Sequence, residues 1–161
     1  MTAGAATRRR RGRSHRRRTV DVVGIDHVQL GIPSGEEALA RLFYGGVLGF
    51  QEIRKPAPLR KRGGVWFVGP GLAVHLGVER PFRPARRAHP AFTVSDLALA
   101  RQRIAAHGLD VEEDESGLEV RRCYIRDPFG NRIELVDAAD AAFSARAPGK
   151  RSKGPSPDSG P

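Results

Sequence analysis

The feature that most constrains this chain is a pattern that runs through its central residues twice. From Val20 to Ile32 apolar and polar residues alternate as in a strand, and the run stops at Pro33. Ser34 then offers a helix N-cap, with Glu36 and Glu37 in the first turn and an apolar face of Ala38, Leu39, Leu42 and Phe43 ending at Gly45-Gly46. Three strand candidates follow, Phe50–Arg54, Val65–Val68 and Leu72–Val78, the first two separated by a basic, Pro-broken loop over Lys55–Gly64. At His89 the pattern starts again. His89–Val94 reads as a strand, Ser95 or Asp96 caps a helix through Leu97, Leu99, Ile104 and Ala105, and His107-Gly108 ends it. Val111–Glu113, Leu118–Arg126 and Asn131–Asp137 complete the second unit. His27 and His89 are 62 positions apart, and His75 and Glu134 are 59 apart, so the two halves keep nearly one offset although few letters recur. The expectation is an α+β fold of two βαβββ modules, about 20–80 and 85–140, forming a curved mixed sheet.

Alternation also sorts the side chains by face. Val28, Leu30 and Ile32 oppose His27 and Gln29; Val74, Leu76 and Val78 oppose Ala73, His75 and Gly77. Pro90, Phe92 and Val94 oppose His89, Ala91 and Thr93, and Ile133 and Leu135 oppose Arg132, Glu134 and Val136. Helices need the apolar face to pack on, so His27, His75, His89 and Glu134 fall together on the concave, helix-free side, in the first and last strands of each half. Imidazole and carboxylate donors suit a divalent cation, Fe, Mn, Zn, Ni or Co, and such a set leaves positions open for water or substrate. These four are the expected metal ligands, at the centre of the cavity that the two modules enclose.

The formal net charge of +10 belongs to the ends. Residues 1–19 hold eight Arg and no acid, whereas 20–146 hold 17 basic and 17 acidic residues. The Arg-rich tail 1–19 and the Pro/Gly/Ser-rich tail 147–161 have too little apolar area to fold and are expected to be disordered. The first reads as a solubilising extension. Nucleic-acid contact by it is the alternative, against which stands the lack of interleaved aromatics. No apolar run reaches the length of a membrane span and no apolar stretch follows the arginines, so the expectation is a cytoplasmic protein without a membrane partner. The single cysteine, Cys123, excludes an internal disulfide framework and a Cys-rich zinc site.

The segments Asp26-His27-Val28-Gln29-Leu30, Val74-His75-Leu76-Gly77-Val78-Glu79, Ala88-His89-Pro90-Ala91-Phe92 and, most specifically, Asp127-Pro128-Phe129-Gly130-Asn131-Arg132-Ile133-Glu134-Leu135 resemble the vicinal oxygen chelate superfamily. It includes glyoxalase I, extradiol dioxygenases, fosfomycin-resistance thiol transferases and bleomycin-binding proteins. The resemblance covers residues 24–137 and implies paired βαβββ modules cradling a metal that chelates a small substrate through adjacent oxygens. Position by position it implies that His27, His89 and Glu134 match the His-His-Glu triad of the dioxygenase and thiol-transferase branches. His75 stands where glyoxalase I has a carboxylate, which leaves Glu134 as the acid available for that proton transfer. The implied function is a metal-dependent enzyme with lyase, isomerase, dioxygenase or thiol-transferase chemistry; the alternative is a non-catalytic, antibiotic-binding protein of the bleomycin-binding type. Metal ligands in this superfamily come from one chain or are shared across a two-fold dimer. A homodimer is expected here, because a curved half-barrel leaves edge strands that pairing would cover.

Further candidates follow from the seventh strand, where Cys123 and Ile125 take the helix side and Arg122 and Tyr124 the metal side. Arg122 could bind an anionic substrate group and Tyr124 could donate a proton, so both join Glu134 as candidate catalytic residues. Either Trp66 or Phe67 faces the cavity. Cys123 reads as a small core residue, His107 as a helix C-cap, and Asp127–Asn131 as a turn that delivers Glu134 in register.

Overall fold

The computed structural model describes residues 20–141. Both tail readings, and nucleic-acid contact by residues 1–19, concern segments outside the described residues. The repeat folds as two βαβββ modules, each with its own four-stranded mixed sheet. The first sheet has the order β1-β4-β3-β2, from β1 (Val28–Ile32), β2 (Gln51–Ile53), β3 (Val65–Gly69) and β4 (Leu72–Val78). The second has the order β5-β8-β7-β6, from β5 (Ala91–Val94), β6 (Glu112–Glu113), β7 (Arg122–Arg126) and β8 (Arg132–Asp137). In each, the first strand runs parallel to the last, because the helix carries the chain back across the sheet, and the remaining pairs are antiparallel, β3–β4 and β7–β8 through short turns.

Several local expectations shift. The strand predicted from Val20 begins only at Val28, opposite Val74; Val22, Val23 and Ile25 lie in an unpaired arm and are more than four-fifths exposed. Ser34 does not cap the first helix. Gly35, at φ 87°, puts a left-handed residue after it, so the N-cap falls on Glu36 without a side-chain bond, and Ser34 Oγ accepts from Arg80 instead. The helix α1 (Glu37–Ala40) widens into a π-helical stretch, Arg41–Val47, with the Leu48 N–H donating to the Phe43 carbonyl at 3.0 Å. Its buried stripe is therefore Ala40, Phe43, Tyr44 and Val47, while Leu42 faces outward. The loop over Lys55–Gly64 contains a 3-10 turn, Ala57–Arg62. The second helix, α2 (Leu97–Ala106), is capped by Asp96, whose Oδ1 accepts from the Leu99 N–H at 2.9 Å, and ends at His107 and Gly108 as the sequence leads one to expect.

The buried apolar side chains of both modules form one cluster, with Ile32, Phe43, Phe67 and Leu76 on one side and Phe92, Ile104, Ile125 and Leu135 on the other. Cys123 is fully buried in it. A polar knot crosses the junction. Asp127, in the β7–β8 turn, accepts at Oδ2 from the Tyr44 hydroxyl (2.8 Å) and from Asn131 Nδ2 (2.8 Å), and at Oδ1 from the N–H groups of Phe129 (2.9 Å) and Asn131 (2.8 Å). Asn131 Nδ2 also donates to the Gly31 carbonyl of β1 at 2.9 Å. Burial pushes the Asp127 carboxyl above its usual range against the pull of these four donors, and burial beside that carboxylate pushes Tyr44 up as well. Asp127 is thus structural, as its turn signature predicts.

A carboxylate that only accepts has no isosteric replacement here. Asp127→Asn turns an NH2 group toward donors and should lower stability by about 2–3 kcal/mol in urea unfolding at neutral pH. Tyr44→Phe, which removes one donor of four, should cost about 1 kcal/mol in the same measurement.

Candidate functional site

In the first module Trp66 of β3, His75 of β4 and His27 ahead of β1 line up their rings. The register places Gln29 opposite His75 and His75 opposite Trp66 on one sheet face. Trp66 and His75 stack with centroids 3.8 Å apart and planes 8° apart, and His27, just ahead of β1, stacks on His75 at 4.1 Å. Phe67, the other residue that could have faced this side, is buried in the core. The His27 Nδ1–H donates to Asp26 Oδ1 at 2.6 Å, which leaves Nε2 with its lone pair free, the arrangement found behind metal-bound histidines. His75 is held below the ordinary histidine range, first by burial and then by the neighbouring His27 and by Lys55, whose ammonium lies 6.0 Å from the Trp66 ring centroid; Asp26 opposes the shift. Its imidazole is neutral near pH 7.

In the second module β8 places Glu134 between Ala91 of β5 and Tyr124 of β7. His89, two residues ahead of β5, reaches it: Nε2 lies 3.1 Å from Glu134 Oε2. The other nitrogen, Nδ1, sits 2.6 Å from the Arg87 carbonyl, which can only accept. Nδ1 therefore carries a proton, and the contact at Nε2 is held either by a second ring proton donated to the carboxylate or by a cation bound to both atoms. Nitrogen and carboxylate oxygen are two donor types a divalent metal takes, and 3.1 Å is close to the spacing of two donors held at roughly 2.1 Å from one ion. Two donors alone fall short of a protein metal site, so these residues fit a metal only where further ligands join them.

Around this pair the expected catalytic side chains are committed as follows. Arg122 donates from Nη1 to Glu134 Oε1 (3.1 Å) and from Nε to Asp114 Oδ2 (2.8 Å). It orients the glutamate and is not free to hold an anion. Tyr124 is buried; the His89 ring meets it edge-on at 5.6 Å, and the Arg132 guanidinium lies 3.7 Å from its centroid. A groove of about 410 Å³ runs from the free edge of β1 past Glu79 and Arg83 to His89 and Asn131.

The four expected ligands are thus joined in two pairs, His27 with His75 and His89 with Glu134. Among the described residues no three His, Cys, Asp or Glu side chains converge on one point within the chain. Sequence reasoning missed Arg132 as a participant, although the alternation of β8 puts it on the same face as Glu134. It also missed the Arg87 carbonyl, because no residue type marks a backbone acceptor.

Residues 24–135 match the family model of the Glyoxalase/Bleomycin resistance protein/Dioxygenase superfamily. The chain belongs to this superfamily. Among solved structures, a glyoxalase family protein from Bacillus anthracis is 46% identical, with a TM-score of 0.71 over 74% of this chain and 98% of that one. Two superfamily folds at lower identity share the architecture. The fosfomycin resistance protein FosX from Listeria monocytogenes is 18% identical with a TM-score of 0.56, over 73% of this chain and 93% of that one. An antibiotic binding protein from a Streptomyces species is 21% identical with a TM-score of 0.55, over 72% and 98% of the two chains. No curated protein matches. Among the described residues no helix of this superfamily member is long and apolar enough to cross a membrane.

Because the folded state lowers the His75 pKa, the stability this residue contributes is present above the ordinary histidine value and is lost as pH falls through the folded value. In the metal-free protein an NMR titration should find His75 below the usual range, and Trp66→Ala, which uncovers the ring, should move it upward.

Proposed function

We propose that this chain is a glyoxalase-like, metal-dependent enzyme acting on a small substrate, with its site completed by a second copy. His27 and His75 of one copy would join His89 and Glu134 of the other around a divalent cation, Fe, Mn, Zn, Ni or Co. The observation that carries the reading is the pair His89–Glu134, a ring nitrogen and a carboxylate oxygen brought to 3.1 Å of each other. The sharing of ligands between copies is supported by their separation into two pairs. The unpaired arm leading to His27 also supports it, since Val22, Val23 and Ile25 expose apolar surface beside a ligand.

A bound cation would act as a Lewis acid on neighbouring substrate oxygens. The chain supplies the rest. Arg122 holds Glu134 by one oxygen and leaves the other, Oε2, directed at the site, where it can hold or move a proton. The Arg87 carbonyl keeps His89 in one tautomer. Tyr124 forms the wall beside both. Lyase, isomerase, dioxygenase and thiol-transferase outcomes all use such a floor, and the fold alone does not choose among them.

A second reading, a non-catalytic binding protein for a small molecule such as an antibiotic, is favoured by the flat Trp66–His75–His27 stack, a surface suited to planar groups. Elemental analysis separates the two. The enzyme reading expects one metal per chain, and its loss in His89→Ala and Glu134→Ala; unchanged metal in both variants favours the binding protein. Co-expression of His27→Ala with Glu134→Ala tests the shared site. Mixed dimers should regain one intact site of two, while a site built within one chain would regain none.

A further inference from the structure

We infer that the folded body carries a second binding surface, for the phosphate backbone of a nucleic acid, at one end of the first sheet. The inference goes beyond the metal site and uses none of its ligands. Residues 20–146 are neutral as a whole, but their charges are segregated. Residues 53–95 hold nine cations and one acid, Glu79, whereas residues 96–141 hold six arginines and eleven acids. All nine cations lie in two connections, 54–64 between β2 and β3 and 79–90 between β4 and β5. The topology brings these together. β3 begins at Val65, opposite Leu76, and β4 ends at Val78, so the first connection closes beside the point where the second opens. A Cβ on Gly63 would stand 2.8 Å from Val78 Cγ2. The turn after β1 lies there too: Glu37 Oε1 accepts from the Gly64 N–H at 2.7 Å, and Arg80 donates to Ser34 Oγ. From Arg80 the second connection runs along the free edge of β1, where Arg83 lines the groove that reaches His89. The acids at this end are Glu36, Glu37 and Glu79, three against nine.

Four of the six arginines in residues 96–141 sit in ion pairs. Among the described residues none of the nine cations does, and all but Lys55 are exposed. Like charges gathered in this way repel one another, and a polyanion relieves the repulsion while releasing its own counterions. Seven of the nine are arginines, whose forked N–H groups match two phosphate oxygens. Pro56, Pro58 and Pro84 fix φ along both connections, so less backbone freedom is lost when a rigid partner docks. A lipid surface fits less well. None of the exposed large apolar side chains falls in either connection, and neither contains an α-helix, so nothing here would enter a bilayer. Contacts to phosphate alone carry no base information, so binding is independent of nucleotide sequence.

The test follows a fluorescein-labelled DNA duplex of about 20 base pairs by anisotropy, against the full-length protein at salt concentrations from about 50 to 200 mM. Affinity should fall linearly on a log–log plot, by at least about a thousandfold across that range for about six phosphate contacts. Residues 1–19 hold eight arginines, so the result is read as a difference. Arg54→Ser, Lys61→Ser, Arg62→Ser, Arg83→Ser and Arg86→Ser combined should flatten the slope by about 4. Arg54→Lys, Arg62→Lys, Arg83→Lys and Arg86→Lys combined keep the charge and should leave the slope within about 1 of the wild type. Should the first combination not fold, its five substitutions made singly carry the test, each flattening the slope by about 1. Neutralising the tail instead, with Arg8→Ser, Arg9→Ser, Arg10→Ser, Arg11→Ser and Arg13→Ser, should leave duplex binding with a slope of at least about −4. The inference is overturned if the first combination keeps the wild-type slope, or if the tail variant no longer binds. Binding to phosphatidylglycerol vesicles without binding to the duplex also overturns it.

Discussion

The arrangement depends on one buried carboxylate. Asp127 gathers four donors, and through Tyr44 and Asn131 it binds the helix and first strand of one module to the last hairpin of the other. Apolar packing at the junction is close-fitting but carries no directed bond, since the hydrophobic effect is non-directional. Directed hydrogen bonds in a water-poor place add orientation, and they fix the turn from which β8 departs. Glu134 is seven residues from Asp127, so the position of the candidate ligand is inherited from this knot.

The faces of His75 and Glu134 are set by strand alternation, whereas His27 and His89 lie just ahead of β1 and β5 and are oriented by local partners. Asp26 and the Arg87 carbonyl each accept a hydrogen bond from Nδ1 of the histidine nearby, so Nε2 is the nitrogen left for other partners, Glu134 in the case of His89. The two modules reach this result by different means, a carboxylate in one and a peptide carbonyl in the other. The repeat is therefore a repeat of geometry, which explains why so few letters recur between the halves.

Much of this was readable from the amino-acid order. The period-2 pattern gave β4 with both its ends, Asp96 and Gly108 bounded α2, and the D-P-F-G-N run located the turn before Glu134. Readings failed where a local signal competed with tertiary pairing. The alternation from Val20 is a good strand pattern, but strand geometry needs a neighbour, and β4 offers one only from Val28 onward. Ser34 is a good cap residue displaced by a left-handed glycine. At the candidate site the shared face of Arg122, Tyr124 and Glu134 was legible, because it follows from strand parity. The grouping into pairs was not, since distances between modules have no periodic signature. Nor was the occupation of Arg122 by Asp114, because parity assigns a face and says nothing of which acid reaches which base.

The Arg87 carbonyl has one more implication. It belongs to the connection between the modules, a stretch rich in arginine and proline that forms no helix or strand. Rotating that single peptide would take the acceptor away from the Nδ1 hydrogen of His89 and leave the ring free to turn. The tether is thus part of the hinge that aims this imidazole, and substitutions there can re-aim it while every residue of the floor stays unchanged.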